Sequence, residues 1–248
     1  MIKQVTFRFY EELNDFLPPE KRKVRFKHQF IDRASVKDMI ESLGVPHTEI
    51  DLILVNGNSV DFNYIVQNED EISVYPVFES LDISDVQHLR SKPLRDPKFI
   101  ADIHLGSLAR YLRMFGFDAI YKNDFSDNDI IETSLKDQRA ILTRDRNLLK
   151  NKQITHGYWV RSNKIEDQVK EVIKRFDLRN NIKEFLRCLE CNSIIIPVEK
   201  DKIEDRIPPK VKEWHDEFWY CRHCDKIYWK GTHYEKMRNF IKRIRNDL

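Results

Sequence analysis

Two C-x-x-C pairs constrain this chain more than any other feature of its sequence. They are Cys188-Leu-Glu-Cys191 and Cys221-Arg-His-Cys224, and together they contain all 4 cysteines of the 248 residues. Four thiolates in two such pairs match a closed, tetrahedral structural zinc site, with Zn–S distances of about 2.3 Å. We therefore predict a zinc ribbon over residues 181–248, with His223 as an alternative ligand.

Disulfides and a redox motif are the alternatives for these cysteines. A thioredoxin-like role usually needs one such pair placed before a helix, and disulfides belong to secreted proteins. The first residues lead into an alternating strand pattern, and no apolar run approaches the ~20 residues of a membrane helix. We expect a cytoplasmic protein with no membrane partner and with reduced, zinc-binding thiols.

Charge is distributed unevenly along the chain. The formal net charge is +2, but residues 1–80 carry −5 and the remainder +7. From Lys226 onward the chain contains seven Lys and Arg but only two acids. This surplus of positive charge can neutralise phosphates. A solvated helix face that binds nothing is the alternative.

Residues 1–80 predict strand, strand, helix, strand, strand. The segments 4–10 and 23–30 alternate at period two, and Ser35 stands at the N-cap position of an amphipathic helix that ends at Gly44. A strand over 52–55 runs into an Asn-Gly turn, and a last strand covers 71–75. This order resembles a ubiquitin-like β-grasp fold, and it predicts a docking module for a protein or for RNA. A sulfur-transfer accessory role is disfavoured because the chain continues past the position of a terminal Gly-Gly.

Residues 81–98, with two prolines among charged residues, predict a linker. The next segment, 99–180, alternates strands and helices: strands over 99–102, 117–121, 140–143 and 157–160, with helices over 105–115, 127–138 and 165–176. Such alternation predicts an α/β domain with a parallel sheet and right-handed crossovers.

Three aspartates are predicted at the carboxyl edge of this sheet, where ligands of α/β proteins collect. Asp102 and Asp145 follow strands, and Asp127 opens a helix. Hard oxygen ligands of this kind suit Mg²⁺ or Mn²⁺, which activates water for phosphodiester hydrolysis. Each aspartate is alternatively a helix cap, and Asp129 fits a capping box with Ser126. Glu132 is a further candidate, as a fourth carboxylate of the metal site.

A family resemblance supports the metal-site interpretation. The stretch from Phe99 to Asp118, followed by Ser126-Asp-Asn-Asp-Ile130 and Leu142-Thr-Arg-Asp-Arg146, resembles the Mut-seven carboxy-terminal RNase family. The resemblance implies a PIN-like nuclease fold with an appended zinc ribbon, and members commonly carry a ubiquitin-like domain in front. It also implies a ribonuclease.

The resemblance assigns roles to single residues. It implies that Asp102, Asp127 and Asp145 bind the catalytic metal and that Arg144 and Arg146 are their basic neighbours. Arg110 is a further candidate for substrate binding. Ser107 departs from the family pattern, in which a Lys often follows the Gly; if that Lys touches the substrate, one phosphate contact is absent here.

Aromatic residues surround the second cysteine pair, interleaved with cations. They can stack on unpaired bases, but in a small metal-stabilised domain they more often form the core; we expect one or two to be exposed. The set comprises Trp214, Phe218, Trp219, Tyr220, Tyr228 and Trp229.

The sequence thus predicts a multidomain α/β and α+β protein: an N-terminal ubiquitin-like β-grasp domain, a central PIN-like parallel-sheet domain and a C-terminal zinc ribbon. The leading functional prediction is a ribonuclease that uses Mg²⁺ or Mn²⁺ on single-stranded or structured RNA. The alternative is a non-catalytic adaptor, associated with RNA or the ribosome, in which the aspartates are caps.

Overall fold

The structure is a computed structural model that describes residues 2–76, 89 and 97–248. It divides into two compact units, one of 1–96 with 145–159 and the other of 97–144 with 160–248. Most of the predicted linker, 81–98, lies outside the described residues. The domain boundaries at 80, 98 and 180 stay predictions.

A five-stranded mixed sheet forms the first unit, with strand order β2-β1-β5-β3-β4. Strand β1 pairs antiparallel with β2 and parallel with β5. The elements are β1 (Lys3–Phe9), β2 (Phe26–Phe30), α1 (Val36–Ser42), β3 (Ile50–Val55), β4 (Asn58–Ser59) and β5 (Glu71–Pro76). The predicted β-grasp order is confirmed, with the short β4 as a strand that the sequence pattern did not predict.

Period-two patterning and a cap explain this unit. Val5, Phe7 and Phe9 are buried, and the residues between them are only partly so. Ser35 caps α1, since its hydroxyl accepts the N–H of Asp38 at 3.1 Å. The apolar face of α1 then packs on the sheet, as the sequence predicts.

A parallel sheet forms the centre of the second unit. Strand β6 (Lys98–Ala101) pairs with β7 (Ala119–Ile120) on one side and with β8 (Arg139–Thr143) on the other. Helices α2 (Gly106–Met114) and α3 (Asp127–Asp137) connect these strands. The predicted parallel-sheet α/β domain is therefore confirmed.

The chain then passes through β9 (Gly157–Trp159), which belongs to the first unit, and returns as α4 (Ile165–Arg175). Val160, directly after β9, donates its N–H to the carbonyl of Thr143 at 2.8 Å. Helix α4 buries Val169, Val172 and Ile173, which lie on one face of the helix predicted over 165–176.

The last part of the second unit is an antiparallel sheet with the order β10-β11-β12. Its elements are β10 (Ile196–Val198), α5 (Pro209–Trp214), β11 (Phe218–Cys221), β12 (Lys226–Trp229) and α6 (Thr232–Asp247). The four cysteines cluster at one end of this sheet. Across the described ranges, no helix has the length and apolar character needed to cross a membrane.

Candidate active-site edge and cysteine cluster

Asp102 lies where the sequence places it, directly after β6 at the carboxyl edge of the parallel sheet. Its side chain is 5% exposed. One carboxylate oxygen accepts the N–H of His104 at 2.8 Å; the other accepts the N–H of Arg144 at 2.9 Å and the hydroxyl of Thr143. Asp102 thus caps the turn after β6 and ties it to the end of β8.

Asp127 is the first residue of α3, and it is exposed. It is not the cap of that helix. Ser126 caps the helix, and Asp129 completes the capping box by accepting the N–H of Ser126 at 2.9 Å. Among the described residues the carboxylate of Asp127 accepts no hydrogen bond, so the cap alternative does not account for it.

The two arginines beside Asp145 have different surroundings. Arg144 donates through its guanidinium to the carbonyl of Ser162 at 2.7 Å and to the side-chain oxygen of Asn163 at 2.6 Å. The guanidinium of Arg146 lies over the ring of Trp159, 3.8 Å from its centroid. The guanidinium groups of Arg144 and Arg146 therefore both have contacts within the protein.

Asp145 is exposed and accepts the N–H of Asn147 at 2.8 Å, which forms a local turn. Asp145 and Arg146 belong to the first compact unit, whereas Asp102, Asp127 and Arg144 belong to the second. The convergence of the three aspartates on one metal ion stays a prediction.

The four cysteines form a metal-ligating geometry. One sulfur from each of Cys188, Cys191, Cys221 and Cys224 lies within 4.8 Å of all the others. A tetrahedral site with Zn–S distances of ~2.3 Å needs sulfurs ~3.8 Å apart, so the cluster fits a metal such as zinc. Within the part of the chain that the structure describes, it is the one group of three or more His, Cys, Asp or Glu with this proximity.

Hydrogen bonds make the four thiols unequal. Burial raises the pKa of Cys188, but hydrogen bonds from the Tyr228 hydroxyl and from the N–H groups of Cys191 and Glu190 outweigh it and lower the pKa to about 6. Burial, together with hydrogen bonds among the thiols, raises the pKa of Cys224. The thiolate of Cys188 is therefore favoured before a cation binds, and binding of a cation must displace the proton of Cys224.

A buried arginine, Arg113, connects helix α2 to the first cysteine pair. Its side chain donates to the carbonyl of Ala119 at 2.7 Å, of Leu189 at 3.0 Å and of Glu190 at 2.7 Å. Burial lowers its pKa, and the nearby cysteine sulfurs and carboxylates oppose that shift. The charge is retained at neutral pH because an arginine stays protonated there.

Asp118 makes a second connection between the sheet and the cysteine cluster. It pairs with Arg139 at 2.6 Å and with Arg187 at 3.4 Å, and it accepts the side-chain amide of Asn192 at 2.7 Å. Asn192 follows the first cysteine pair, and its side-chain oxygen accepts the N–H of Ala119 at 3.0 Å. This network holds the cysteine-bearing loop against β7.

Sequence reasoning missed both connections. Arg113 and Asp118 lie within the stretch from Phe99 to Asp118 that carries the family resemblance, so the signal was present. The spacing of apolar residues gave no reason to single them out, because a helix pattern does not reveal a partner more than seventy residues away along the chain.

Arg110 is exposed on α2. Its guanidinium lies 3.7 Å from the carboxylate of Glu190, which also pairs with Lys226 at 3.0 Å. The residue therefore lies beside the cysteine cluster, on a surface that the four-cysteine ribbon and helix α2 share.

Comparison with protein families gives two matches along the chain. The family model of the Mut7-C RNAse domain matches residues 97–241, and that of the Mut7-C ubiquitin domain matches residues 2–82. Comparisons with curated proteins and with solved structures gave no match. The fold defines a ubiquitin-like domain followed by a parallel-sheet domain with a four-cysteine ribbon. The chain belongs to the Mut7-C RNAse domain family.

Proposed function

We propose that the protein is a ribonuclease that hydrolyses RNA phosphodiester bonds at a carboxylate-bound Mg²⁺ or Mn²⁺, with a structural Zn²⁺ in the cysteine cluster. The main support for this proposal is the family match over 97–241, a segment in which Asp102 lies at the carboxyl edge of the parallel sheet. We further propose a cytoplasmic location, where thiols stay reduced.

The carboxylates suit a hard cation. An ionised carboxylate has about four acceptor positions, and Asp102 uses three of them for hydrogen bonds, which fix its orientation and leave one position. Asp127 is exposed, and it would provide a second oxygen ligand, with Asp145 as the third. When bound, the metal ion would make an attacking water more acidic and stabilise the departing oxygen.

Asp127→Asn is the sharpest test of this proposal. The residue is exposed and does not cap its helix, so the variant should fold like the wild type. We expect RNA cleavage in Mn²⁺ to fall about 100-fold or more with an unchanged melting temperature, because the amide replaces an anionic ligand. The measurement is the initial rate of cleavage of a labelled RNA, with and without added metal.

Asp129→Asn is the matched control, since it removes a carboxylate two residues away that belongs to the capping box. This variant should cleave RNA at the wild-type rate. Full activity in Asp127→Asn would contradict the proposal. Asp102→Asn is less informative, because an amide facing the donors of Thr143 and Arg144 costs about 1–3 kcal/mol of folding stability by itself.

The cap formed by Asp102 favours a second candidate, a non-catalytic adaptor that binds RNA or the ribosome. In that case Asp102→Asn lowers the melting temperature, RNA binding is retained, and no metal-dependent cleavage is found in the wild type. A protein partner for the ubiquitin-like domain also stays a prediction.

A further inference from the structure

A groove in the second unit lies between helices α2 and α5, strand β12 and the start of α6. Its cavity volume is about 790 Å³. That size is within the ~300–1,000 Å³ of pockets that hold small organic ligands. Of the site residues described above, it includes Arg110, Leu189, Glu190, Lys226 and Tyr228.

Trp214 is the most unusual residue of the groove. It ends α5 and is 72% exposed, although its neighbour in the ribbon, Phe218, is buried. Tyr111, Tyr228 and Trp229 are half-buried in the groove wall. An exposed indole beside further aromatic rings gives a surface on which planar groups can stack.

Cations surround these rings. Arg110, Lys210, Lys226 and Lys236 line the groove, and Glu190 is the one carboxylate among its lining residues. Arg110 and Lys226 both approach Glu190. Lys210 and Lys236 are exposed and take part in no ion pair within the described ranges.

We propose that this groove binds an unpaired segment of RNA. Trp214 stacks on a base, and Lys210, Lys236 and Arg110 neutralise the adjacent phosphates. Stacking tolerates any base because every base has a flat π-face, and the cations follow the backbone. The proposal rests on the proposed ribonuclease function and specifies the single-stranded form of its substrate. An apolar helix or a second copy of the chain would not need the excess of positive charge.

The test is the affinity of the full, zinc-loaded chain for a fluorescently labelled oligouridylate, measured by anisotropy without Mg²⁺ or Mn²⁺. Trp214→Ala should weaken binding about tenfold, and Trp214→Phe should retain most of the affinity. Ile194→Ala is the matched control, because Ile194 is a 55% exposed apolar residue of the ribbon that does not line the groove. It should bind like the wild type.

A second pair of variants tests the charges. Lys210→Ala should weaken binding and reduce the slope of log affinity against log salt by about 0.7, the value for one phosphate contact on a single strand. Lys164→Ala removes an exposed lysine outside the groove and should leave both quantities unchanged.

Each outcome decides the proposal. Wild-type affinity in Trp214→Ala, or equal binding of a duplex of the same length, overturns it. So does a change in self-association of Trp214→Ala, seen by sedimentation, without a change in RNA affinity. Asp127→Asn separates the two proposals: lost cleavage with retained binding supports both, whereas full cleavage contradicts the ribonuclease and leaves the binding test standing.

Discussion

The Asp118 carboxylate connects the parallel sheet to the loop that carries the first cysteine pair. Its partner Arg139 is 8% exposed, and it also donates to the carbonyl of Phe99 at 3.2 Å. Asp118→Asn would leave that guanidinium without its main counter-charge. We expect the free energy of unfolding to fall by about 3 kcal/mol, measured by chemical denaturation.

Because Asp118 titrates, the predicted loss of stability in Asp118→Asn should depend on pH in a definite direction. Burial opposes ionisation, but hydrogen bonds from Arg139 and Asn192 outweigh it and lower the pKa below its ordinary 3.8. A group with a lower pKa in the folded state stabilises the fold above its unfolded pKa and loses that contribution as the pH falls through the folded value. The stability difference between wild type and Asp118→Asn should therefore shrink below pH 3.8.

Asp216→Asn is the control, because Asp216 also pairs with a lysine, Lys200, but its side chain is 91% exposed. Its melting temperature should match the wild type at neutral pH. Both variants keep all four cysteines. A stability difference for Asp118→Asn that persists unchanged in acid would contradict the assignment.

At the scale of elements, the end of α2 depends on a glycine. Gly116 has φ +95°, and a Cβ there would lie 2.1 Å from the backbone oxygen of Lys183. Gly57 has φ +83°, and a Cβ there would meet nothing within 4 Å. Gly57→Ala should cost about 1 kcal/mol of conformational strain. Gly116→Ala should cost about 1–3 kcal/mol more, because the chain after α4 must move.

The two alanine variants are compared by calorimetric unfolding against the wild type. Equal losses of stability would show that the approach of Lys183 to Gly116 is not a constraint. The comparison is clean because both positions have a left-handed backbone and differ in what surrounds the missing Cβ.

Periodicity predicts most elements correctly, since burial of one face imposes it. The helix predicted over 165–176 is α4 (Ile165–Arg175), and the capping box at Ser126 begins α3 as predicted. The strand predicted over 117–121 shortens to Ala119–Ile120. Phe117 donates its N–H to the carbonyl of Leu112, so it still belongs to the end of α2.

Local sequence patterns do not reveal which residues far apart in the chain contact each other. Asp102 follows β6 as predicted and accepts the N–H of Arg144, which follows β8, whereas the convergence of the three aspartates stays a prediction. The segment 145–159 follows the central sheet in sequence, yet it groups with the first unit. There His47 makes a 2.8 Å hydrogen bond with the carbonyl of Ile154, and Glu49 accepts the N–H of Trp159 at 2.6 Å. Nothing in the apolar spacing of 145–159 distinguishes one core from the other.

At the scale of the whole molecule, the basic C-terminal region is only partly available to a polyanion. Lys226, Lys230, Arg243 and Arg245 form ion pairs with acids of the second unit. Part of the positive charge of this region therefore fits the alternative interpretation, a solvated helix face that binds nothing. Lys236, Arg238 and Lys242 are exposed and form no ion pair among the residues described. Within this C-terminal region, the exposed cations without an ion pair therefore lie along one stretch of α6.

We propose that the four-cysteine ribbon depends on a bound metal ion. Its buried apolar groups are few: one cluster contains Cys188, Ile195 and Cys221, and another contains Ile203, Ile207 and Phe218. A structural zinc site contributes about 10–16 kcal/mol, more than such small clusters supply. Because Arg113 and Asn192 connect the first cysteine pair to α2 and β7, loss of the metal should also loosen those elements.

If the four cysteines bind zinc as proposed, its removal by a chelator should raise hydrogen exchange in three places: the ribbon, the C-terminal turn of α2 and strand β7. Strands β1 and β5 of the first unit have their own core and serve as the internal control. Readdition of zinc should restore protection. If α2 and β7 exchanged at the same rate with and without the metal, the hydrogen bonds of Arg113 and Asn192 would not transmit the ribbon's stability to the sheet, because protection reports the free energy of local opening.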